Sequence, residues 1–132
     1  MRNIIILALL LAVTPAKAFD VDGSLTRIAY KYGINPETVK AIAIVESDKT
    51  CGAVDGSSHG IMQVQRGAAK EVGINWPFKS CEDEIEAGVK YLKLAINRAG
   101  DTCEAYTLYN EGLNSRLHCS KYGRKVMKWK KI

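Results

Sequence analysis

Apolar residues recur with a helical spacing along most of this chain, and where that spacing lapses the sequence turns to Gly, Ser, Asp and Thr. Ser24 to Tyr32 predicts a first short helix ended by Gly33. A second follows directly. Asn35-Pro36-Glu37 supplies an N-cap and a proline at the first helical position, and Val39, Ile42 and Ala43 form a buried stripe. From Lys49 to Gly60 the period is lost, which predicts a loop or small hairpin. Helical spacing returns from about Glu82 to Ala99, with acids Glu82, Asp83 and Glu84 in the first turn, a stripe of Ile85, Val89, Leu92 and Ile96, and Gly100 as stop. Asp101, followed three residues on by Glu104, predicts a capping-box start to a short helix through Asn110, ended by Gly112. A last helix is expected from about Ser115 to Lys128, with Cys119, Tyr122, Val126 and Trp129 along one side. No internal repeat, linker or second domain is visible in this pattern.

One residue breaks it. Glu46 lies seven, four and three positions after Val39, Ile42 and Ala43, so a carboxyl points the same way as the apolar stripe. It also sits in the last helical turn, where desolvation and the negative end of the helix dipole both disfavour its ionised form. A carboxyl kept protonated near neutral pH is a proton donor. Cleavage of a glycosidic bond requires one, because the leaving oxygen departs poorly until it is protonated. A carboxylate that edges the face and reaches solvent, or pairs with a lysine, has the same spacing, so this pattern alone leaves both readings open.

The first eighteen residues read as an export signal. Arg2 gives the positive start, Ile4 to Val13 a short apolar run, and Ala16-Lys17-Ala18 a small-x-small cleavage site. The run is too short for a permanent membrane anchor, so residues 1–18 are expected to be removed, leaving 19–132 as one domain in the periplasm or outside the cell. Cys51, Cys81, Cys103 and Cys119 all fall in that exported part, and their even number predicts two disulfides. Three connectivities are open. Cys51 with Cys81 and Cys103 with Cys119 is preferred because each pair joins consecutive elements, and free buried thiols are the alternative.

Charge adds a polarity. The chain carries 19 Lys and Arg against 14 Asp and Glu, and no acid follows Glu111, whereas Arg116, Lys121, Arg124, Lys125, Lys128, Lys130 and Lys131 do. Such a tail suits an anionic polymer such as the cell wall, or else is a solvated helix face. Export, disulfides and the lack of aromatic-basic interleaving argue against a nucleic-acid module.

Three ordered blocks then carry a family resemblance: Glu46-Ser47, Gly60-Ile61-Met62-Gln63-Val64, and Ala105-Tyr106 through Tyr109-Asn110-Glu111-Gly112. They resemble the signature blocks of the soluble lytic transglycosylase family, and Ala87-Gly88-Val89-Lys90-Tyr91-Leu92 resembles its long-helix motif. The likeness runs from about Ser24 to Val126. It implies a mainly α, lysozyme-like single domain of the α+β-type superfamily, with the small loop or hairpin next to the catalytic helix. It also implies cleavage of the bond between N-acetylmuramic acid and N-acetylglucosamine in peptidoglycan glycan strands. One glutamate protonates the glycosidic oxygen, the substrate's acetamido group stabilises the developing cation, and the same carboxylate takes the 6-hydroxyl proton, giving a 1,6-anhydromuramoyl end. Glu46 matches that glutamate.

The other positions carry over singly. By resemblance, Gln63 hydrogen-bonds substrate or orients Glu46, with satisfaction of loop backbone as the alternative, and Met62 lines the cleft. Tyr109 donates toward Glu46 or the sugar, and Asn110 braces or caps the helix end. Tyr122 aligns with a late cleft tyrosine, although its spacing with Val126 also fits core packing. Ser47 hydrogen-bonds backbone beside the acid. The chain departs from the family where Glu111 replaces the usual alanine and where Asp55 lies near a position commonly serine, which Ser57 or Ser58 could fill. A second carboxylate at Asp55 or Glu111 would move the chemistry toward lysozyme-type hydrolysis. No cofactor or metal is expected, since His59 and His118 have no ligand-spaced partners. The expectation is therefore a monomer without a stable membrane anchor that cuts peptidoglycan, by analogy for a secretion, conjugation or pilus apparatus or in phage-linked lysis. A non-catalytic wall-binding assembly factor is the competing reading, and a small secreted inhibitor or toxin a remoter one.

Overall fold

The computed structural model describes residues 18–130, so all of the expected export signal except Ala18, and the last two residues of the basic tail, lie outside the described residues. Among the described residues six helices accompany a very small sheet: α1 Val21–Lys31, α2 Pro36–Ser47, β1 Val54–Asp55, β2 Ser58–His59, β3 Val64–Gln65, α3 Arg66–Glu71, α4 Cys81–Ala99, α5 Cys103–Glu111 and α6 Lys121–Lys130. The mainly helical architecture and the hairpin after α2 are as the sequence pattern predicts.

Element boundaries follow the caps. α1 starts three residues earlier than periodicity suggests, because the Asp20 carboxylate accepts the Gly23 N–H at 3.0 Å. Asn35 caps α2 through Glu37 N–H, and that helix closes on Asp48 in the left-handed region, φ 53°. The cap of α5 is Thr102, which accepts from Ala105 N–H, and not Asp101. Asp101 is engaged elsewhere: it accepts from Thr38 Oγ1, from the Tyr106 hydroxyl and from Lys130 Nζ, joining α2, α5 and α6. α6 begins at Lys121, not near Ser115, since Ser120 Oγ accepts the Gly123 N–H at its start. Cys119 thus lies outside the helix and Trp129 is 41% exposed. The six-residue α3 is too short to leave a periodic signal.

β1, β2 and β3 pair antiparallel in that order, with Asp55 opposite Ser58 and His59 opposite Val64. α2 packs between α1 and α6, and α4 packs on α5 and α1, around a core that includes Leu25, Ile28, Val39, Ile42, Ile85 and Leu92. Disulfides Cys51–Cys81 and Cys103–Cys119 close the molecule at two points. The first ties the hairpin region to the start of α4, and Glu84 does so again. This acid is buried, 6% exposed, and accepts the Gly52 N–H at 2.8 Å and the Ile61 N–H. It lies against Gly60, where any Cβ would stand 2.7 Å from the Glu84 side chain.

Met62 is fully buried in the core. Its side chain therefore does not line the cleft that the family resemblance suggested for it. It sits on Gly88 of α4, where a Cβ would come within 2.4 Å of the Met62 sulfur. Gly88→Ala is expected to lower stability by about 1–3 kcal/mol through overpacking, outweighing the ~1 kcal/mol that alanine adds to helix propensity. Thermal unfolding would read this as a fall of several degrees. An unchanged or raised midpoint would refute the close contact.

Candidate active site

α2 delivers Glu46 one residue before its end, and Ser47 fixes that end in place. Ser47 Oγ donates to the Ile61 carbonyl at 2.6 Å and accepts the Thr50 N–H at 3.0 Å, tying helix, loop and sheet together. Glu46 then opens onto a cleft of about 310 Å³. Ser58, Gln63, Val64, Gln65 and Ala68 line it from the sheet, the turn before β3 and α3, and Tyr91, Tyr109, Asn110, Glu111 and Gly112 from α4 and the end of α5.

Burial pushes the Glu46 carboxyl up from 4.5 to about 7, and a hydrogen bond from the Tyr122 hydroxyl to Oε2, at 3.0 Å, partly offsets it. Tyr122 reaches it from the first turn of α6, 76 residues away in the chain. The Tyr109 hydroxyl instead donates to the Met62 carbonyl at 2.7 Å, while its ring meets Tyr91 edge-on at 5.6 Å. Burial and then the neighbouring Glu46 hold both the Tyr109 and Tyr122 phenols well above 10, so at neutral pH each is a donor and not a base.

Gln63 adopts a left-handed backbone, φ 52°, and its amide nitrogen donates to the Ala53 and Gly60 carbonyls at 3.1 and 2.8 Å. It thus satisfies loop backbone while still lining the cleft. Asn110 is exposed within the last turn of α5 and lines the cleft, and Gly112 is the cap of that helix. Ser58 lines the cleft from β2. Asp55 is exposed on β1 and is not among the lining residues, whereas Glu111 is, and its Oε2 lies 2.6 Å from His118 Nε2. His59 packs edge-on against Trp76 at 4.6 Å. Among the described residues one group of potential metal ligands clusters, Cys51, Cys81 and Glu84, and its sulfurs are consumed by the disulfide. Also among them, no helix is long and apolar enough to cross a membrane.

Sequence reasoning passed over Tyr91, Gln65 and Ala68 as cleft residues. Tyr91 neighbours Leu92 of the α4 stripe, a position from which a helix side chain borders the buried face. Gln65 and Ala68 carried no signal, because neither the two-residue β3 nor the six-residue α3 did.

Helices around a three-stranded sheetlet, with an acid at a helix end facing the cleft between them, make this a lysozyme-like fold. The model of the transglycosylase SLT domain family matches residues 24–132, and the chain belongs to that family. Among solved structures, an inactive mutant of the lytic transglycosylase Slt from Pseudomonas aeruginosa matches at 21% identity and TM-score 0.65, over 82% of this chain and 23% of that one. The 70 kDa soluble lytic transglycosylase from Escherichia coli matches at 21% identity and TM-score 0.58, over 82% of this chain and 18% of that one. At this identity they share the fold, and this chain spans under a quarter of the length of either.

Glu46 leaves a thermodynamic signature. Its folded state holds a proton more tightly than the unfolded chain, so its contribution to stability is present below about pH 4.5 and is lost as pH rises through about 7. The loss is on the order of 3 kcal/mol. Glu46→Gln is expected to unfold about 1–3 kcal/mol later than the parent at pH 8 and at the same point at pH 4, read by thermal melts across pH. A pH-independent difference would contradict the burial assigned to this carboxyl.

Proposed function

We propose that this protein is a peptidoglycan lytic transglycosylase with Glu46 as its acid and base. The observation that carries the reading is a single carboxyl held protonated near neutrality by burial, yet opening onto a cleft. In this scheme Glu46 gives its proton to the glycosidic oxygen as the bond to muramic acid C1 breaks. The acetamido oxygen of the same sugar supports C1. The 6-hydroxyl then bonds to C1 and returns its proton to Glu46, so no water is consumed and no protein nucleophile is needed.

The other cleft residues fit supporting roles. Tyr122 orients the carboxyl and limits how far its proton affinity rises. Tyr109, Gln63 and Ser47 hold the backbone that shapes the cleft, and Ser58, Asn110 and Tyr91 present polar and aromatic surface to sugar. Two disulfides suit the oxidising compartment in which the wall lies. Local wall opening for an envelope-spanning secretion, conjugation or pilus apparatus, or in phage-linked lysis, is the role we assign by analogy.

One observation favours a second reading. Glu111 shares the cleft with Glu46, so lysozyme-type hydrolysis with Glu111 as the second carboxylate is the competing chemistry, while Asp55 on the exposed strand has no such placement.

Mass spectrometry of muropeptides released by residues 19–132 separates these outcomes. Anhydromuramoyl ends are expected. Products heavier by one water would assign hydrolysis and move attention to Glu111. Folded protein that binds the wall and releases nothing would make it an assembly factor. Glu46→Gln is expected to lose at least ~10³-fold in rate while retaining wall binding.

The rate should also fall as pH rises above about 7, where Glu46 loses its proton. Tyr122→Phe removes the hydrogen bond that lowers that affinity, so the falling limb should move to higher pH. A limb that stays put, or moves down, would show that Tyr122 does not act on Glu46.

A further inference from the structure

α6 reverses the usual placement of charge in a helix. A helix N-terminus favours acids, because its unpaired N–H groups form the positive end of the dipole, yet α6 opens with Lys121 and Arg124 and carries no acid at all. Arg124, Lys125 and Lys128 follow Lys121 by three, four and seven positions, so the four cations form one stripe. All four are exposed. The opposite stripe packs inward: Gly123 and Val126 are buried, and Lys130 Nζ meets Asp101 at 2.9 Å.

Like charges three and four residues apart on a helix repel one another, and this stripe contains no opposite charge to relieve them. Among the described residues none of the four cations is in an ion pair. Arg124 donates from Nη1 to the Cys119 carbonyl, which orients its guanidinium without neutralising it. Asp22 and Glu37, which share a hollow with Trp129, already meet Lys49 and Lys40, so they do not balance the stripe. Uncompensated positive charge on one face of a firmly packed helix is the complement of an anionic surface.

Two further observations select the kind of surface. None of the four cations lines the Glu46 cleft or the hollow of about 210 Å³ beside Trp129. They therefore meet a partner as an outward helix face about 15 Å long, not as the wall of a groove. Trp129, 41% exposed, stands at the margin of this face next to Lys128 and four residues after Lys125, with Ala41 and Ile44 in the hollow beside it. An indole whose apolar body borders cations settles at the headgroup level of a bilayer. A soluble polyanion would engage the cations and leave the indole unused. Because the apolar side of α6 is already packed in the core, contact with lipid is adsorption and not insertion.

We propose that the outer face of α6 docks the protein reversibly on a membrane surface rich in anionic phospholipid. Lys121, Arg124, Lys125 and Lys128 lie against the phosphates, and Trp129 sits at headgroup level. No residue of α6 is among those lining the cleft, so a docked molecule keeps the cleft open. The docking goes beyond the chemistry proposed for Glu46 and does not depend on it.

Vesicle binding tests this without turnover. Residues 19–132 hold the whole described core and lack the apolar run Ile4 to Val13, which would bind lipid by itself. Sedimentation with vesicles of phosphatidylglycerol and phosphatidylcholine in equal parts is compared with sedimentation with phosphatidylcholine alone. Binding is expected to be at least tenfold tighter to the anionic vesicles, and to be lost in salt that shortens the Debye length to about 3 Å. Lys121→Gln/Lys125→Gln/Lys128→Gln is expected to weaken it roughly a hundredfold, at about fivefold per cation. Arg66→Gln/Lys70→Gln/Lys79→Gln removes the same charge from exposed positions outside α6 and is expected to bind nearly as the parent does. Equal loss in the two variants would reduce the effect to net charge and overturn the proposal, as would equal binding to the two kinds of vesicle.

The indole gives an independent reading on a protein whose stripe is intact. The chain has two tryptophans, so Trp76→Phe leaves Trp129 as the reporter. Its emission is expected to shift to the blue on anionic vesicles and to be quenched by lipids brominated near the headgroup. Bound protein with unshifted emission would place another face on the lipid. Binding to soluble polyphosphate without binding to vesicles would assign the stripe to a polymer. Either result overturns the proposal.

Discussion

Holding the Glu46 carboxyl partly out of water at the end of α2 is the constraint on which the rest of the arrangement turns. A buried carboxylate is unfavourable unless it is neutralised or well solvated by the protein. Here the protein supplies one phenol, Tyr122, and an open cleft. That phenol comes from the far end of the chain, so α6 has to be fixed against α2. Lys130 meets Asp101 at one end of the helix, and Ser120 meets Thr107 at the other. Gly123 lies so close to α5 that a Cβ there would be 2.7 Å from the Cys103 carbonyl. The Cys103–Cys119 disulfide closes the same corner. α6 is thus part of the site, because among the described residues Tyr122 is the side chain that donates a hydrogen bond to Glu46.

Three carboxyls show how partial withdrawal from water is answered in this fold, and each is handled differently. Burial raises Asp101, yet hydrogen bonds from Tyr106, Lys130 and Thr38 carry it below its ordinary value, so it is a fixed anion that fastens helices. Burial raises Glu84 too, and the Gly52 and Ile61 N–H groups offset this only in part; it is spent on holding the hairpin to α4. Glu46 receives the least compensation and alone among the three lines the cleft. A group poised to release its proton near neutrality, next to space for a ligand, is the combination that proton-transfer chemistry requires. The other two make that combination possible by fixing the walls around it.

The sequence was most legible where a local rule governed structure. The α2 cap at Asn35-Pro36, the long α4 stripe and the Glu46 position on the apolar face are statements about neighbours three or four residues apart, and the fold keeps them. It was least legible where a residue answers to a distant partner. Asp101 has the spacing of a capping box, but Thr38 and Lys130 claim it, and Thr102 takes the cap. Met62 reads as a cleft residue by family likeness, yet Gly88 lets α4 approach and bury it. Glu84 reads as one of three first-turn acids matched to the helix dipole, and the hairpin region that returns to it makes it a buried one. The hairpin itself is visible as a lapse in periodicity, but strands of two residues and a six-residue α3 carry no pattern to detect.

The proposed chemistry depends on the proton affinity of one side chain, Glu46, in the folded protein. Carboxyl carbon NMR, with Glu46 assigned by the resonance missing in Glu46→Gln, would follow its titration without any substrate. A midpoint near 7 is predicted. A midpoint near the ordinary 4.5 would mean that Glu46 is solvated and ionised at neutral pH, and would contradict its proposed role as proton donor.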